Sequence, residues 1–186
     1  DTEARRRLVR EARAAAALDD PHLCAVHAVE EDADGDVYVV MAHCPGGTLR
    51  ERLRAGPLPA TAAVAIARQA ARGLARAHAA GLVHRDLKPG NVGFAADGRV
   101  QLLDFGLARA ADDDVTATGH ITGTLAYMAP EQLRGMPVDA RADVWALGVT
   151  LFEMLAGRRP HVALPDEPPA ARAARLPGGA PGASES

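Results

Sequence analysis

The segment His84–Asn91 holds the only lysine and the only asparagine of this 186-residue chain. It reads His-Arg-Asp-Leu-Lys-Pro-Gly-Asn, so an acid, an amine and an amide follow one another at the spacing D-x-K-x-x-N. Groups of these three types in one loop are able to orient a hydroxyl, steady a phosphate and ligate a metal ion. Any fold of this chain therefore has to hold this loop in a defined geometry.

Two further motifs follow the segment along the chain, Asp104-Phe105-Gly106 and then Ala129-Pro130-Glu131. A lone His-Arg-Asp would usually be a surface ion pair, but the full segment followed by both motifs is a specific signal. Their order and spacing resemble the catalytic core of a serine/threonine protein kinase. The resemblance covers about residues 3–160.

Composition sets broad limits on the function. With 48% hydrophobic residues the chain can bury a sizeable core. Its net charge of −3 indicates neither binding to nucleic acid nor a polybasic contact with a membrane. No apolar run reaches membrane-spanning length. Cys24 and Cys44 lack metal-ligand spacing, so we expect a reduced, cytoplasmic setting.

Hydrophobic periodicity and turn residues predict the order of helices and strands. Thr48 is expected to cap a short helix, and Gly81 to end a long alanine-rich one. The first predicted elements are a helix over 2–18, a hairpin of 24–29 with 37–41, and a short helix from the Thr48 cap through residue 54. They are followed by a helix over 61–80, short strands near 92–94 and 100–103, a loop over 107–128, and a helix over 140–156.

The resemblance implies an α+β, two-lobed protein-kinase-like fold. Its small lobe would be incomplete, one helix plus a hairpin over residues 1–41, and residues 42–47 would form the hinge. A mainly helical large lobe with the catalytic and activation loops would occupy 48–163. Residues 164–186 are rich in Pro, Ala, Gly and Ser, which predicts a disordered tail.

The resemblance also assigns roles in His84–Asn91, which we call the catalytic segment. Asp86 takes the place of the catalytic carboxylate that accepts the proton of the incoming hydroxyl, and Lys88 is expected to contact the transferred phosphate. Asn91 and Asp104 match the two positions that hold Mg²⁺, an ion that prefers oxygen ligands. ATP and Mg²⁺ are the implied cofactors.

Nucleotide contacts are expected from the first part of the chain as well. Glu11 resembles the helical glutamate that pairs with the ATP-positioning lysine, although an isolated helical glutamate is normally only solvated. Met41 falls at the family's gatekeeper position. His43 and Cys44 fall in the hinge, where backbone groups would bind adenine.

Several residues match positions that regulate the family or select its substrates. Arg85 before the catalytic Asp marks kinases switched by phosphorylation of the activation loop, since a guanidinium grips a phosphate bidentately. Thr116 and Thr118 resemble the paired-threonine site of bacterial members, and Thr122 is a further acceptor in this loop. Thr124 matches the substrate-docking segment, which with the catalytic-segment lysine favours Ser/Thr over Tyr acceptors.

The remaining matches are structural. His84 and Phe105 correspond to stacked residues that link the two lobes, and Gly106 completes its motif. Asp143 matches a buried aspartate that anchors the catalytic loop from below, a carboxylate that needs donors because burying it unpaired is costly. Glu131 corresponds to a glutamate that usually pairs with a downstream arginine, which is missing here.

The sequence also departs from the family pattern. It has no glycine-rich phosphate loop before Glu11 and no second lysine, so we expect a kinase domain truncated at both ends, of low stability and weak activity. Its partners would be ATP, proteins with Ser/Thr acceptors, and a second copy during autophosphorylation. A pseudokinase-like interaction module is the alternative. A small-molecule phosphotransferase is disfavoured by residues 123–131.

Overall fold

The computed structural model describes residues 14, 16–32, 37–105, 125–160 and 171, and these ranges have an α+β architecture. Two antiparallel strand pairs and four helices lie within them. In chain order the elements are β1 (Val26–Glu31), β2 (Val37–Met41), α1 (Leu49–Leu53), α2 (Ala60–Ala79), β3 (Val92–Phe94), β4 (Val100–Leu102), α3 (Pro130–Leu133) and α4 (Ala140–Ala156).

The predicted hairpin is present as β1 paired with β2. The pairs run from Val26 with Met41 to Glu31 with Val37, with an irregularity near the start of β1. The first strand begins two residues later than the sequence indicated. Tyr38 and Val40 on β2 are exposed, 53% and 44%. The described part of the chain supplies no third strand to this pair.

The short helix α1 begins where the sequence predicted. The Thr48 hydroxyl accepts a hydrogen bond from the Glu51 N–H at 3.4 Å, and the Glu51 carboxylate accepts one from the Thr48 N–H at 2.7 Å. This reciprocal pair satisfies two of the N–H groups that a helix start leaves open. Helix α1 packs against the turn Pro89–Asn91 and against β3.

The main core is built around α2, which contacts both α4 and strand β4 of the β3–β4 pair. Small residues on the buried face of α2 permit this close approach, while Leu102, Phe94 and Met154 fill the space between the elements. Each large apolar side chain buried in this way stabilises the fold by about 1.5–3 kcal/mol. Both long helices match their predicted bounds to within one residue.

One expectation is wrong in part. Residues 107–128 were expected to form a loop without regular structure, but residues 125–127 form a 3₁₀ turn and α3 follows closely. Ala126 and Tyr127 of this turn are buried, in a cluster with Val149 of α4. Elements this short carry no hydrophobic period, so only their tertiary contacts define them.

Other expectations fall on residues that the structure does not describe. Of the predicted helix 2–18, residues 14 and 16 are helical, and the chain has left the helix by residue 18. Residues 2–13, the loop residues 107–124 and most of the expected tail lie outside the described residues. None of the described helices is both long and apolar enough for a membrane span.

A glycine on α2 allows a third segment to join the β3–β4 pair. Leu23 forms a parallel bridge with Leu102, and the Leu102 N–H donates to the His22 carbonyl at 2.9 Å. A Cβ placed on Gly73 would lie 2.8 Å from that same carbonyl oxygen. The segment 22–24 therefore depends on the missing side chain at position 73.

Gly73→Ala and Gly148→Ala, the same substitution in α2 and α4, should have opposite effects. We expect Gly73→Ala to lower the free energy of unfolding by about 1–3 kcal/mol, because backbone must move. Gly148 has nothing within 4 Å of its added Cβ, so Gly148→Ala should raise the same quantity by about 0.5–1 kcal/mol. Urea denaturation followed by circular dichroism measures both, and equal effects would contradict this packing.

Candidate active site

The side chains of Lys88 and Asn91 converge on the carboxylate of Asp86. The Lys88 ammonium lies 2.7 Å from Asp86 Oδ2, and the Asn91 Nδ2 donates to the same oxygen at 3.0 Å. The Asn91 Nδ2 also donates to the Asp86 carbonyl at 2.8 Å. The acid, the amine and the amide singled out in the sequence therefore form one contact cluster.

The local backbone explains this convergence. Lys88 has extended torsions, φ −159° and ψ 165°, and neighbouring residues of an extended chain point to opposite sides. Leu87 is buried at 1% exposure, so Asp86 and Lys88 lie together on the more open side. The 3₁₀ turn Pro89–Asn91 then brings the amide back to the carboxylate and leads into β3.

Asp143, in the first turn of α4, anchors the segment from beneath. Its side chain is fully buried, and Oδ1 accepts the Arg85 N–H at 2.8 Å. Oδ2 accepts the His84 N–H at 2.8 Å and lies 2.7 Å from His78 Nε2 at the end of α2. The carboxylate is thus surrounded by three donors, as a buried acid requires.

Arg85, directly before Asp86, has a positive φ of 66°, a conformation that costs a non-glycine residue about 1–2 kcal/mol. Both polar groups of its backbone are held. Asp143 accepts from the Arg85 N–H, and the Gln132 Nε2 donates to the Arg85 carbonyl at 2.8 Å. The Gln132 Oε1 also accepts from the Ala129 N–H at 3.0 Å. One amide therefore ties the Ala-Pro-Glu segment to the catalytic segment.

Sequence reasoning missed both His78 and Gln132. Gln132 directly follows the Ala-Pro-Glu motif, but a glutamine on a four-residue helix reads as an ordinary surface residue. His78 lies six residues before His84, in the last turn of α2, where a histidine is commonly only a favourable charge near the helix end. Nothing in the sequence indicates that either side chain faces the catalytic segment.

Asp104 follows β4 and has a positive φ of 54°. Burial raises the pKa of its carboxyl above the ordinary value, and the charge of Asp86 adds to this effect while the charge of Lys88 opposes it. Two carboxylates therefore lie close enough to repel each other across the site. A cation bound between them would relieve that repulsion.

The rings of His84 and Phe105 are in tilted contact, with centroids 4.6 Å apart and planes at 44° to each other. Burial lowers the pKa of His84 below its ordinary value, so the imidazole is neutral at physiological pH. Both rings are buried, His84 completely. This contact joins the catalytic segment to the start of the Asp-Phe-Gly motif.

The β1–β2 hairpin meets the start of the Asp-Phe-Gly motif at a small cavity. Met41 at the end of β2 lines this cavity together with Cys24, Asp104 and Phe105. Burial, with a smaller contribution from Cys44, raises the pKa of the Cys24 thiol to about 11, so this thiol is neutral. The Cys44 thiol donates to Gln101 Oε1 at 3.4 Å. Cys44 is half-buried beside β3 and β4.

Other candidates are placed less centrally or not at all. His43 is exposed in the segment that follows β2. Glu131 lies in the first turn of α3, and its charge contributes to raising the pKa of the exposed Arg141, after the larger effect of Asp139. The candidates outside the described residues are Glu11, Gly106, Thr116, Thr118, Thr122 and Thr124.

Comparison with known proteins finds the same family along most of the chain. Residues 1–173 match the protein kinase domain family. The serine/threonine-protein kinase PknL of Mycobacterium tuberculosis H37Rv is 49% identical over 153 residues, which cover 81% of this chain and 38% of the relative. PknB of Mycobacterium leprae is 42% identical over 162 residues, 84% of this chain and 26% of the relative.

PknJ of Mycobacterium tuberculosis H37Rv, also a serine/threonine-protein kinase, is 42% identical over 168 residues, 88% of this chain and 28% of the relative. The chain therefore spans between about a quarter and two fifths of the length of these relatives. The motifs, the buried anchor beneath them and the family match agree, and the chain belongs to the protein kinase family.

Proposed function

We propose that this chain carries the catalytic core of a serine/threonine protein kinase, which transfers the γ-phosphoryl group of ATP to hydroxyl groups of proteins. The observation that carries the proposal is the contact cluster of Asp86, Lys88 and Asn91 held above Asp143. Phosphoryl transfer needs positioning and charge neutralisation more than covalent work by the protein. This cluster supplies both in a loop with a defined backbone.

Asp86 acts as the carboxylate that orients the acceptor hydroxyl and takes its proton. Its Oδ2 is already bonded to Lys88 and Asn91, which fix the direction of the carboxylate. Lys88 lies beside this oxygen with its side chain about one fifth exposed, so its charge is available to the transferred phosphoryl group. The phosphoryl group gains stabilisation from this ammonium as its negative charge spreads.

The residues present fit a magnesium site. The Asn91 Nδ2 faces Asp86, so the amide oxygen remains as a ligand, and the half-buried Asp104 carboxylate is the second oxygen donor. Among the described residues no group of three or more His, Cys, Asp or Glu could hold a metal ion alone. That fits Mg²⁺, which takes one or two protein oxygens and completes its shell with phosphate and water. Bound there, it would neutralise phosphate charge.

The acceptor class and the regulation extend this proposal. Lys88 and Thr124 favour Ser/Thr acceptors, and the relatives named above are serine/threonine-protein kinases. Thr116 and Thr118 are proposed as activation-loop phosphorylation sites, with Arg85 as the phosphate contact. Since Arg85 is the residue whose backbone both Asp143 and Gln132 hold, a phosphate bound to it would act directly on the catalytic segment.

A nucleotide-binding module without phosphoryl transfer is the second candidate. It is favoured by one observation, that the only lysine of this chain lies in the catalytic segment and contacts Asp86. No other lysine of this chain is therefore able to position the phosphates of ATP. Binding and transfer have to be measured separately to distinguish the two candidates.

The direct test combines Mg²⁺-ATP titration by calorimetry with labelling of short peptides from γ-labelled ATP. We expect ATP binding that Asp104→Asn abolishes, since the metal loses a ligand, and that Asp97→Asn leaves unchanged, since Asp97 is exposed in a distant turn. We expect weak labelling of threonine and serine peptides, none of tyrosine peptides, and a fall of about 100-fold or more in Asp86→Asn.

Each outcome separates the two candidates. Labelling that is as fast in Asp86→Asn as in the unaltered chain would contradict the kinase proposal. ATP binding that depends on Asp104 without any labelling would support the binding module instead. Absence of ATP binding by folded protein would contradict both.

The bridge made by Gln132 gives a second expectation. Gln132→Glu keeps the acceptor for the Ala129 N–H but places an oxygen against the Arg85 carbonyl, so the hold on the residue before Asp86 is lost. We expect kcat to fall about tenfold with the KM for ATP unchanged, as for a lost hydrogen bond to a buried group. Steady-state labelling kinetics measure both parameters.

Gln69 offers a matched control for this substitution. Its Oε1 accepts from the Val100 N–H at 3.1 Å, and its Nε2 donates to the Ala65 carbonyl at 3.4 Å. Gln69→Glu therefore removes the same kind of amide-to-carbonyl hydrogen bond from a half-buried position on α2. Gln69→Glu should reduce stability without reducing kcat. An equal loss of kcat in both variants would show that Gln132 has no special hold on the catalytic segment.

A further inference from the structure

A groove rich in arginine lies beside the catalytic segment, and no role assigned so far uses it. We call it the arginine groove, and its volume is about 270 Å³. Helix α1, the turn after Lys88, the 3₁₀ turn 125–127 and the end of α4 meet around it. The residues that define it are Arg50, Arg54, Pro89, Tyr127, Glu153 and Arg159.

The charge of the groove is positive although the whole chain carries a net charge of −3. Three guanidinium groups line it, against the one carboxylate of Glu153. That carboxylate already accepts a hydrogen bond from the Tyr127 hydroxyl at 2.5 Å. Among the described residues, none of the three arginines has an acidic group within 4.0 Å. The groove thus offers cations that no ion pair in this part of the chain neutralises.

The guanidinium groups lie close to the floor of the groove. The charges of Arg159 and Arg50 act on the buried Tyr127 hydroxyl, where they oppose the larger effects of burial and Glu153, which raise its pKa. Arg50 also runs along the catalytic segment, since a Cβ on Gly90 would lie 3.4 Å from Arg50 Nε. Arg50 is therefore next to the turn that follows Lys88, while Arg159 acts with it on the Tyr127 side of the groove.

The groove is within reach of a peptide whose hydroxyl lies at Asp86. Pro89 follows Asp86 by three residues, so the Cα atom of Pro89 in the groove wall lies no more than about 11 Å from the Cα atom of Asp86. An extended peptide advances about 3.3 Å per residue. A side chain roughly three to four residues from the acceptor hydroxyl would therefore reach the groove wall at Pro89, beside which Arg50 lies.

We propose that the arginine groove binds an anionic side chain of the protein substrate, and so selects acceptor sites with an acidic residue nearby. The inference rests on the proposed kinase function, since it names the substrate class of the same site. Guanidinium groups form paired hydrogen bonds with carboxylate and with phosphate, so Asp, Glu or a phosphorylated residue all match the groove. A neutral amide side chain has one uncharged acceptor oxygen and forms no charge-assisted pair of this kind.

The test measures peptide binding without ATP, so it does not depend on phosphoryl transfer. Fluorescent alanine–glycine peptides with one central threonine carry a single glutamate at each position up to about four residues either side. Matched peptides carry glutamine or phosphoserine at the same positions. Fluorescence anisotropy then gives Kd for the full chain and for its Arg50→Gln, Arg159→Gln and Arg72→Gln variants, each confirmed as folded by circular dichroism.

We expect glutamate to tighten binding about fivefold over glutamine at one or two neighbouring positions, and phosphoserine to tighten it at least as much. Arg50→Gln and Arg159→Gln should each reduce that preference. Arg72→Gln removes the same charge from an exposed position on α2 and should leave the preference intact. The preference should also shrink in 1 M salt, where the Debye length is about 3 Å.

The two anion sources separate in the same experiment. Preference for both peptides identifies acidic substrates, and preference for phosphoserine alone identifies previously phosphorylated ones; either supports an anion-binding groove. Equal affinity for the glutamate, glutamine and phosphoserine peptides at every position, or no binding of any peptide, overturns the proposal. A preference that Arg72→Gln weakens as much as Arg50→Gln overturns it as well, because only overall charge would then matter.

Discussion

The buried carboxylate of Asp143 is the constraint on which the catalytic segment depends. An unpaired carboxylate in the core would be far less stable than one in water, so the fold has to bring donors to it. Those donors are the N–H groups of His84 and Arg85 and the ring of His78. The hydrogen bonds that this one carboxylate accepts therefore fix the backbone directly before Asp86.

The packing of the two long helices places that carboxylate. Helices α2 and α4 share the main core, α4 carries Asp143 in its first turn, and α2 ends five residues before His84. The catalytic segment consequently spans the gap between two rigid elements. From the other side, Gln132 holds the Arg85 carbonyl, so the positive φ of Arg85 is supported at both ends of the residue. Preorganisation of this kind reduces the reorganisation that the proposed phosphoryl transfer would require.

Much of this architecture could be predicted from the sequence. The long helices, the α1 cap at Thr48, the hairpin of β1 with β2 and the positions of the short strands β3 and β4 follow from periodicity, capping residues and turns, and the structure confirms them. The meeting of Asp86, Lys88 and Asn91 follows from a spacing of two and three residues in one loop. Asp143 was identified through the family resemblance, because no local pattern shows which acid will be buried.

What the sequence could not indicate depends on contacts between distant segments. Gln132 lies 47 residues from Arg85, and His78 lies 65 residues from Asp143, so neither pair has a local signature. The arginine groove combines α1, the catalytic segment and the end of α4, and arginines occur throughout this chain. Arg50 and Arg159 differ from the arginines of an ordinary helix surface because these segments bring both of them into one groove with Tyr127.

The most direct test of this account is residue-resolved amide hydrogen exchange on the full chain and on Asp143→Asn. If Asp143 holds the catalytic segment, the His84 and Arg85 amides should exchange about 100-fold or more slowly than in an open loop. In Asp143→Asn they should exchange much faster, while the Gly98 amide, in the turn after β3, stays unchanged. Rapid exchange of the His84 and Arg85 amides in the unaltered chain would contradict the claim that this buried acid organises the site.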